Sequence, residues 1–274
     1  MSNFIKINKF NLKVYISWCI HLLTCSGLVA GFLSLINVFE NNQAGAFLWL
    51  GVALIIDAID GSLARKFEVA KNVKNIDGKM LDSVIDFFNY IIIPSIMIYW
   101  FDVVPMYFEV VIPLIILVIS AISYSNNNLM SSDNFYKGFP CIWNILLLYI
   151  YFFDFNSMTN LFLISFCIIL KFIPLKYVHP LRVKKYKIQS TIFMALWFIT
   201  TLKLLIDSIY KLDNLYDYLV ITIWVISNFY FISLTIYELL IDIFKSTSIC
   251  LLYTSEAADD IPRVEIGGRR RSKR

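Results

Sequence analysis

A chain of 274 residues that is 59% hydrophobic and only 16% charged, with a mean hydropathy of +0.70, has too few polar groups to clothe a water-soluble globule of that size. Its 24 basic residues nearly balance its 20 acidic ones, and no nucleic-acid partner is expected. The composition predicts an all-α, polytopic integral membrane bundle. Cys19, Cys25, Cys141 and Cys167 fall in apolar segments without C-x-x-C spacing and read as small apolar residues rather than a disulfide framework or zinc site.

Hydropathy predicts about eight transmembrane helices, near 14–39, 44–60, 80–100, 107–124, 139–153, 160–175, 188–206 and 218–240, measured against the roughly 20 residues that cross the hydrocarbon. Lys6, Lys9 and Lys13 lead directly into the first, so it reads as a span rather than a cleavable signal. That span carries His21 and Thr24 among apolar residues. His21 has two readings, a metal or phosphate contact and a structural hydrogen bond to a neighbouring helix. Ser26, Gly27, Ala30, Gly31 and Ser34 are small enough to let another helix approach closely.

The second and third spans meet at DAIDGSLARKFEVAKNVKNIDGKMLDSVID, which places Asp57, Asp60, Asp82 and Asp86 at their facing ends. A carboxylate at such a depth costs a few kcal/mol unless something offsets it. Asp57 and Asp60 are three apart and Asp82 and Asp86 four apart, so on helices each pair shares a face, with Gly61 and Ala64 leaving that side open. Two such faces brought together form an all-oxygen cage suited to Mg²⁺ or Mn²⁺, cations that also bind phosphate. Four carboxylates so close could not all remain ionised without cations, so one or two metals are expected. Arg65 reads as an interfacial anchor or a phosphate clamp, and Lys66, Lys71, Lys74 and Lys79 as a basic loop that fixes topology and steers a pyrophosphate.

Beyond the fourth span, the polar stretch 125–137 reads as a connecting loop. The segment KFIPLKYVHPLRVKKYK, interrupted by Pro174 and Pro180, reads as a membrane-boundary element that fixes topology or binds anionic lipid; Arg182 and Lys184 are its candidates for a lipid phosphate. With the amino terminus inside, the inside segments hold fifteen Lys and Arg and the outside ones only Lys203 and Lys211, so the Asp cluster faces the cytoplasm. Residues 1–249 form the membrane-embedded domain. From Cys250 the composition turns hydrophilic, and CLLYTSEAADDIPRVEIGGRRRSKR reads as a disordered, adapter-like, non-native tail over 250–274.

Asp57, Asp60, Gly61, Ala64, Arg65, Gly78, Asp82 and Asp86 together resemble the signature of the CDP-alcohol phosphotransferase family, D-x-x-D-G-x-x-A-R, a spacer, then G-x-x-x-D-x-x-x-D. The spacer here, residues 66–77, is longer than in most of that superfamily and resembles the bacterial phosphatidylcholine synthase branch. CIHLLTCSG, LDSVIDFFNY, GFPCIWN and KFIPLKYVHPLRV are similar to that branch as well. The resemblance implies a bacterial inner-membrane enzyme that works in the lipid bilayer with CDP-diacylglycerol as donor and choline as acceptor; a homodimer is left open. It implies Asp57, Asp60 and Asp82 as ligands of Mn²⁺ or Mg²⁺, Asp86 beside them as the base that takes the choline proton, and Gly61, Ala64, Arg65 and Gly78 as donor-binding positions. His21, Thr24 and Arg182 are further candidates. A quaternary ammonium cannot donate a hydrogen bond and is recognised by aromatic faces, for which Phe87, Phe88, Tyr90, Tyr124, Phe139 and Trp143 are available. Serine, inositol or glycerol phosphate as acceptor is the alternative within the family, and an ion or solute transporter the alternative outside it.

Overall fold

The computed structural model describes residues 2–125, 136–173, 176–177, 186–210 and 217–259, with side chains over 12–125, 138–173, 186–210 and 218–241. Ten α-helices follow in order: α1 Ser2–Phe39, α2 Gln43–Lys66, α3 Val69–Asn72, α4 Gly78–Phe87, α5 Ile93–Trp100, α6 Val111–Tyr124, α7 Trp143–Phe153, α8 Ser157–Phe172, α9 Lys187–Tyr210 and α10 Asp217–Asp259. A π turn, Phe88–Ile92, joins α4 to α5 as one continuous span. Two two-residue strands, β1 (Tyr136–Lys137) and β2 (Lys176–Tyr177), pair antiparallel. The fold is therefore an all-α membrane bundle. Arg182 and nearly all of the polar stretch 125–137 lie outside the described residues. The helical backbone of α10 runs to Asp259, into the segment that composition set apart, and residues 260–274 also lie outside the described set.

Among the described residues, six stretches are long and apolar enough to cross a membrane: Leu12–Phe39, Gln43–Lys66, Gly78–Trp100, Met106–Tyr124, Lys187–Tyr210 and Tyr218–Ile241. The fifth and sixth expected spans are helices as well, but shorter. α7 has 11 residues and α8 has 16, and at 1.5 Å per residue α7 is about 17 Å long against a hydrocarbon core of about 30 Å. Local chemistry sets that length. Gly138 holds a φ of +76°, and a Cβ there would stand 2.5 Å from the carbonyl oxygen of Lys171, so only glycine fits the turn into α7. Pro140 keeps the backbone before it extended, and Asp154 ends α7 in the left-handed region.

The outward side chains of the spans are apolar, Leu22, Phe32, Ile122, Phe162 and Phe229 among them, while Ser17, His21, Thr24, Ser34, Asp60, Asn89 and Asn144 are buried. This reverses the rule for water-soluble proteins and suits a bundle whose solvent is lipid. The apolar core runs through α2, α5, α6, α7 and α8, around Ile91, Ile93, Met97, Ile116, Trp143 and Ile164.

α1 and α2 pack along most of their length, and the Ser34 hydroxyl donates to the carbonyl of Ala46 at 2.9 Å. The small residues of α1 admit the third span closely. A Cβ on Gly31 would lie 2.0 Å from Asn89 Oδ1 and 2.9 Å from the Phe88 ring, and one on Gly27 would lie 3.1 Å from Ile85. Asn89 Nδ2 donates to the carbonyl of Gly27 at 3.2 Å.

Candidate active site

α2 and α4 bring the two halves of the acidic motif together. α4 begins where Asp77 caps it, its Oδ1 accepting from the backbone N–H groups of Lys79 and Met80 at 3.0 and 3.2 Å. Asp82 and Asp86 then stand one turn apart and face Asp57 of α2. Oxygens of Asp57, Asp82 and Asp86 all lie within 4.8 Å of one another, and the three side chains are half-buried. Oxygens around an octahedral Mg²⁺ stand about 2.9 Å apart when adjacent and about 4.2 Å when opposite. The three carboxylates are thus close enough to share one hard cation, and an all-oxygen donor set is the kind such a cation takes.

Asp60 stands outside this trio. Three residues along an α-helix fall about 60° short of a full turn, and that rotation carries Asp60 towards α1, where it is 3% exposed. Thr24, the backbone of Gly61 and the guanidinium of Arg65 are the polar groups acting on it. Its buried Oδ1 has no hydrogen-bond partner among the described residues. That orphaned oxygen suits a ligand to a cation beside the trio.

His21 lies one turn before Thr24 on the same face of α1 and is buried. A Cβ on Gly78 would come within 3.3 Å of its ring, so Gly78 leaves room for the imidazole at the mouth of α4, and His21 Nε2 has no partner among the described residues. Gly61 is open apart from Arg65, whose Nη1 would lie 3.5 Å from a Cβ there. Arg65 is exposed and donates to Ser62 Oγ at 3.3 Å. Ala64 is half-buried between them in sequence.

The long spacer forms structure of its own. It contains α3, anchored by buried Val69 and Val73 and tied to α1 through Asn72 Nδ2, which donates to Ser17 Oγ at 3.1 Å. Lys71, at the end of that turn, pairs with Glu68. The Lys71 ammonium holds the exposed Glu68 carboxyl below its ordinary range. One of the four loop cations is therefore already matched, and Lys66, Lys74 and Lys79 carry the excess.

Sequence reasoning gave Tyr90 only as an aromatic face. In the structure its hydroxyl donates to Asp57 Oδ2 at 3.1 Å, with Asp86 and Tyr124 as electrostatic neighbours. The cause is Pro94. Proline supplies no N–H to the carbonyl of Tyr90 and its ring crowds that carbonyl, so the ladder shifts to the wider π pattern, with Ile93 N–H bonding to the carbonyl of Phe88. Of the other aromatic candidates, Phe88 packs on Gly31 and Trp143 is buried with its Nε1 donating to Ser120 at 3.0 Å. Phe139 pairs with Trp143. Phe87 and Tyr124 form an edge-to-face pair with centroids 5.7 Å apart, on the carboxylate side.

A family model described as CDP-alcohol phosphatidyltransferase matches residues 19–229. The phosphatidylcholine synthase of Pseudomonas aeruginosa is 32% identical over 222 residues, spanning 81% of this chain and 91% of the relative. That of Borreliella burgdorferi is 35% identical over 195 residues, 70% of this chain and 83% of the relative. The phosphatidylcholine synthase of Legionella pneumophila is 35% identical over 175 residues, 63% and 69% of the two chains.

Proposed function

The chain belongs to the CDP-alcohol phosphatidyltransferase family, and from that premise we propose that it transfers the phosphatidyl group of CDP-diacylglycerol to choline, giving phosphatidylcholine and CMP. It is a multi-pass membrane transferase of substituted phosphate groups. The observation that carries the finer reading is the convergence of Asp57, Asp82 and Asp86 from two spans onto one point.

Asp57 and Asp82 would hold the divalent cation, and Asp60 a neighbouring one through its orphaned Oδ1. Mn²⁺ or Mg²⁺ bound there would neutralise the pyrophosphate of the donor and the charge that builds on departing CMP. Asp86, a turn beyond Asp82, is the carboxylate that takes the proton from the choline hydroxyl. The acceptor oxygen then bonds to the phosphorus carrying diacylglycerol, the bond from that phosphorus to CMP breaks, and the proton leaves on Asp86. Tyr90 holds Asp57 by its hydroxyl and so fixes the rotamer of a ligand. Arg65 at the end of α2 clamps phosphate oxygens, and the openness at Gly61 and Gly78 lets the nucleotide reach the backbone.

Choline recognition is assigned to the Phe87–Tyr124 pair, of which Phe87 follows Asp86 in sequence and Tyr124 borders Tyr90. The excess of inside cations favours a cytoplasmic site in a bacterial inner membrane, the side on which a nucleotide-activated donor is available. Incubation of purified protein with CDP-diacylglycerol, Mn²⁺ and labelled choline tests the proposal. Labelled lipid and CMP should appear in equal amounts, whereas turnover only with serine, inositol or glycerol phosphate would assign a different acceptor.

A further inference from the structure

At the opposite end of the bundle from the carboxylate trio lies a cavity of about 540 Å³, within the range of small-ligand sites. Gln43 in its wall opens α2 and Asp57 lies near that helix's other end, so the two are separated by about 20 Å along the axis. The cavity is therefore distinct from the proposed active site.

Two turns build it. One, at the end of α5, carries Asp102, and the other, at the end of α7, carries Asp154; both residues are left-handed, at φ +50° and +46°. Asn160 of α8 fastens the turns together, its Nδ2 donating to the carbonyl of Val103 at 2.9 Å and to that of Phe155 at 3.2 Å. Asn160 is itself 5% exposed, lies in the cavity wall, and its Oδ1 is a buried acceptor without a partner among the described residues. The aromatic side chains of Tyr151 and Phe155 complete the wall, and among the described residues no Lys or Arg lines it. A smaller hollow beside it shares Asp102 and adds Glu109 and Trp100. Lys203 of α9 is paired with Asp207.

Carboxylates without an ion pair among the described residues, a leftover amide acceptor and aromatic faces, with no described basic residue in the wall, have the chemistry of an organic-cation site. We propose that this cavity binds a quaternary ammonium group, carried by a free small cation or by a lipid headgroup at that membrane surface. The carboxylates supply attraction. The rings favour a weakly hydrated alkylammonium over an inorganic ion.

The site is tested on the full chain carrying Asp86→Asn, in nanodiscs of phosphatidylglycerol without divalent metal or CDP-diacylglycerol, so that the outcome is separate from any transfer reaction. Titration with tetramethylammonium, read by calorimetry, should show a saturable site beyond any contribution of the Phe87–Tyr124 pair, one that an equal concentration of potassium does not occupy. Adding Asp102→Asn and Asp154→Asn, which tolerate the left-handed backbone, should weaken that binding by about tenfold or more. In the otherwise wild-type chain the same pair should leave metal-dependent CMP release unchanged. If that pair does not fold, Phe155→Leu carries the test through a loss of about threefold. Phosphatidylcholine added to the nanodiscs lowers the apparent tetramethylammonium affinity if a lipid headgroup is the occupant, and leaves it unchanged if a free cation is. Folded protein that shows no saturable binding, binding equal to potassium, or binding that survives both substitutions at full strength overturns the proposal.

Discussion

Around the carboxylate end of α1, α2 and α4, three buried polar atoms stand without partners among the described residues: His21 Nε2, Asp60 Oδ1 and Asn89 Oδ1. Along α9 and α10 the polar groups are mostly matched. Trp224 Nε1 donates to Thr201 at 3.0 Å, Trp197 Nε1 to Tyr149 at 3.0 Å, and Ser190 meets Tyr230 at 3.2 Å; among the described residues there, only Asp207 Oδ1 is left over. A buried polar atom without a hydrogen bond costs about 1–3 kcal/mol. The open carboxylate end carries that cost several times over and the closed α9–α10 side almost avoids it, which is what separates groups kept ready for a ligand from groups that only join helices.

Substitutions should respect that division, and the largest effects belong to the open end. Asp86→Asn should cut turnover by about a hundredfold to ten-thousandfold, measured as CMP release, while Mn²⁺-dependent binding of CDP-diacylglycerol persists; wild-type turnover would remove Asp86 from the role of base. Asp57→Asn or Asp82→Asn should weaken metal and donor binding together by about ten- to a hundredfold, visible in Mn²⁺ titrations of donor binding, and a change in turnover alone would contradict their place as ligands. Gly31→Ala presses a methyl onto Asn89 and Phe88. Overpacking of this kind costs about 1–3 kcal/mol, to be read as a lowered Tm in detergent.

Tyr90→Phe removes a single hydrogen bond worth about 1 kcal/mol. It should raise the Mn²⁺ concentration needed for half-maximal rate by about fivefold, and an unchanged metal requirement would show that Asp57 does not need the phenol. At the closed end, Trp224→Phe should lower stability by about 1 kcal/mol and leave the rate per folded molecule as it was. Loss of turnover at a temperature where this variant is folded would blur the distinction between the two ends.

Much of this was readable in the residues alone. Long apolar runs must be spans, and carboxylates three and four apart must share helix faces, so the bundle and the meeting of Asp57 with Asp82 and Asp86 followed from spacing. The small residues of α1 likewise announced the close approach that Gly27 and Gly31 make. Three-dimensional packing decided the rest. Spacing put Asp60 beside Asp57, but the 60° between them was enough to turn Asp60 towards Thr24. The shortness of α7 depended on a carbonyl of Lys171, distant in sequence, crowding Gly138. No spacing relates Asp102 to Asp154, because Asn160, through two backbone carbonyls, is what fastens their turns together.

The π turn at Phe88–Ile92 bears on how this span could tolerate change in length. Elsewhere in a helix, deleting one residue swings everything beyond it by about 100°, which would pull the acidic pair away from α2. A π turn holds one residue in excess of the regular winding, so one loss within it can be absorbed by reverting to ordinary pitch, at the cost of the hydrogen bond that Pro94 cannot donate. The carboxylates would keep their aim and α5 its seat against Ile116 and Trp143, while the phenol of Tyr90 would lose its place.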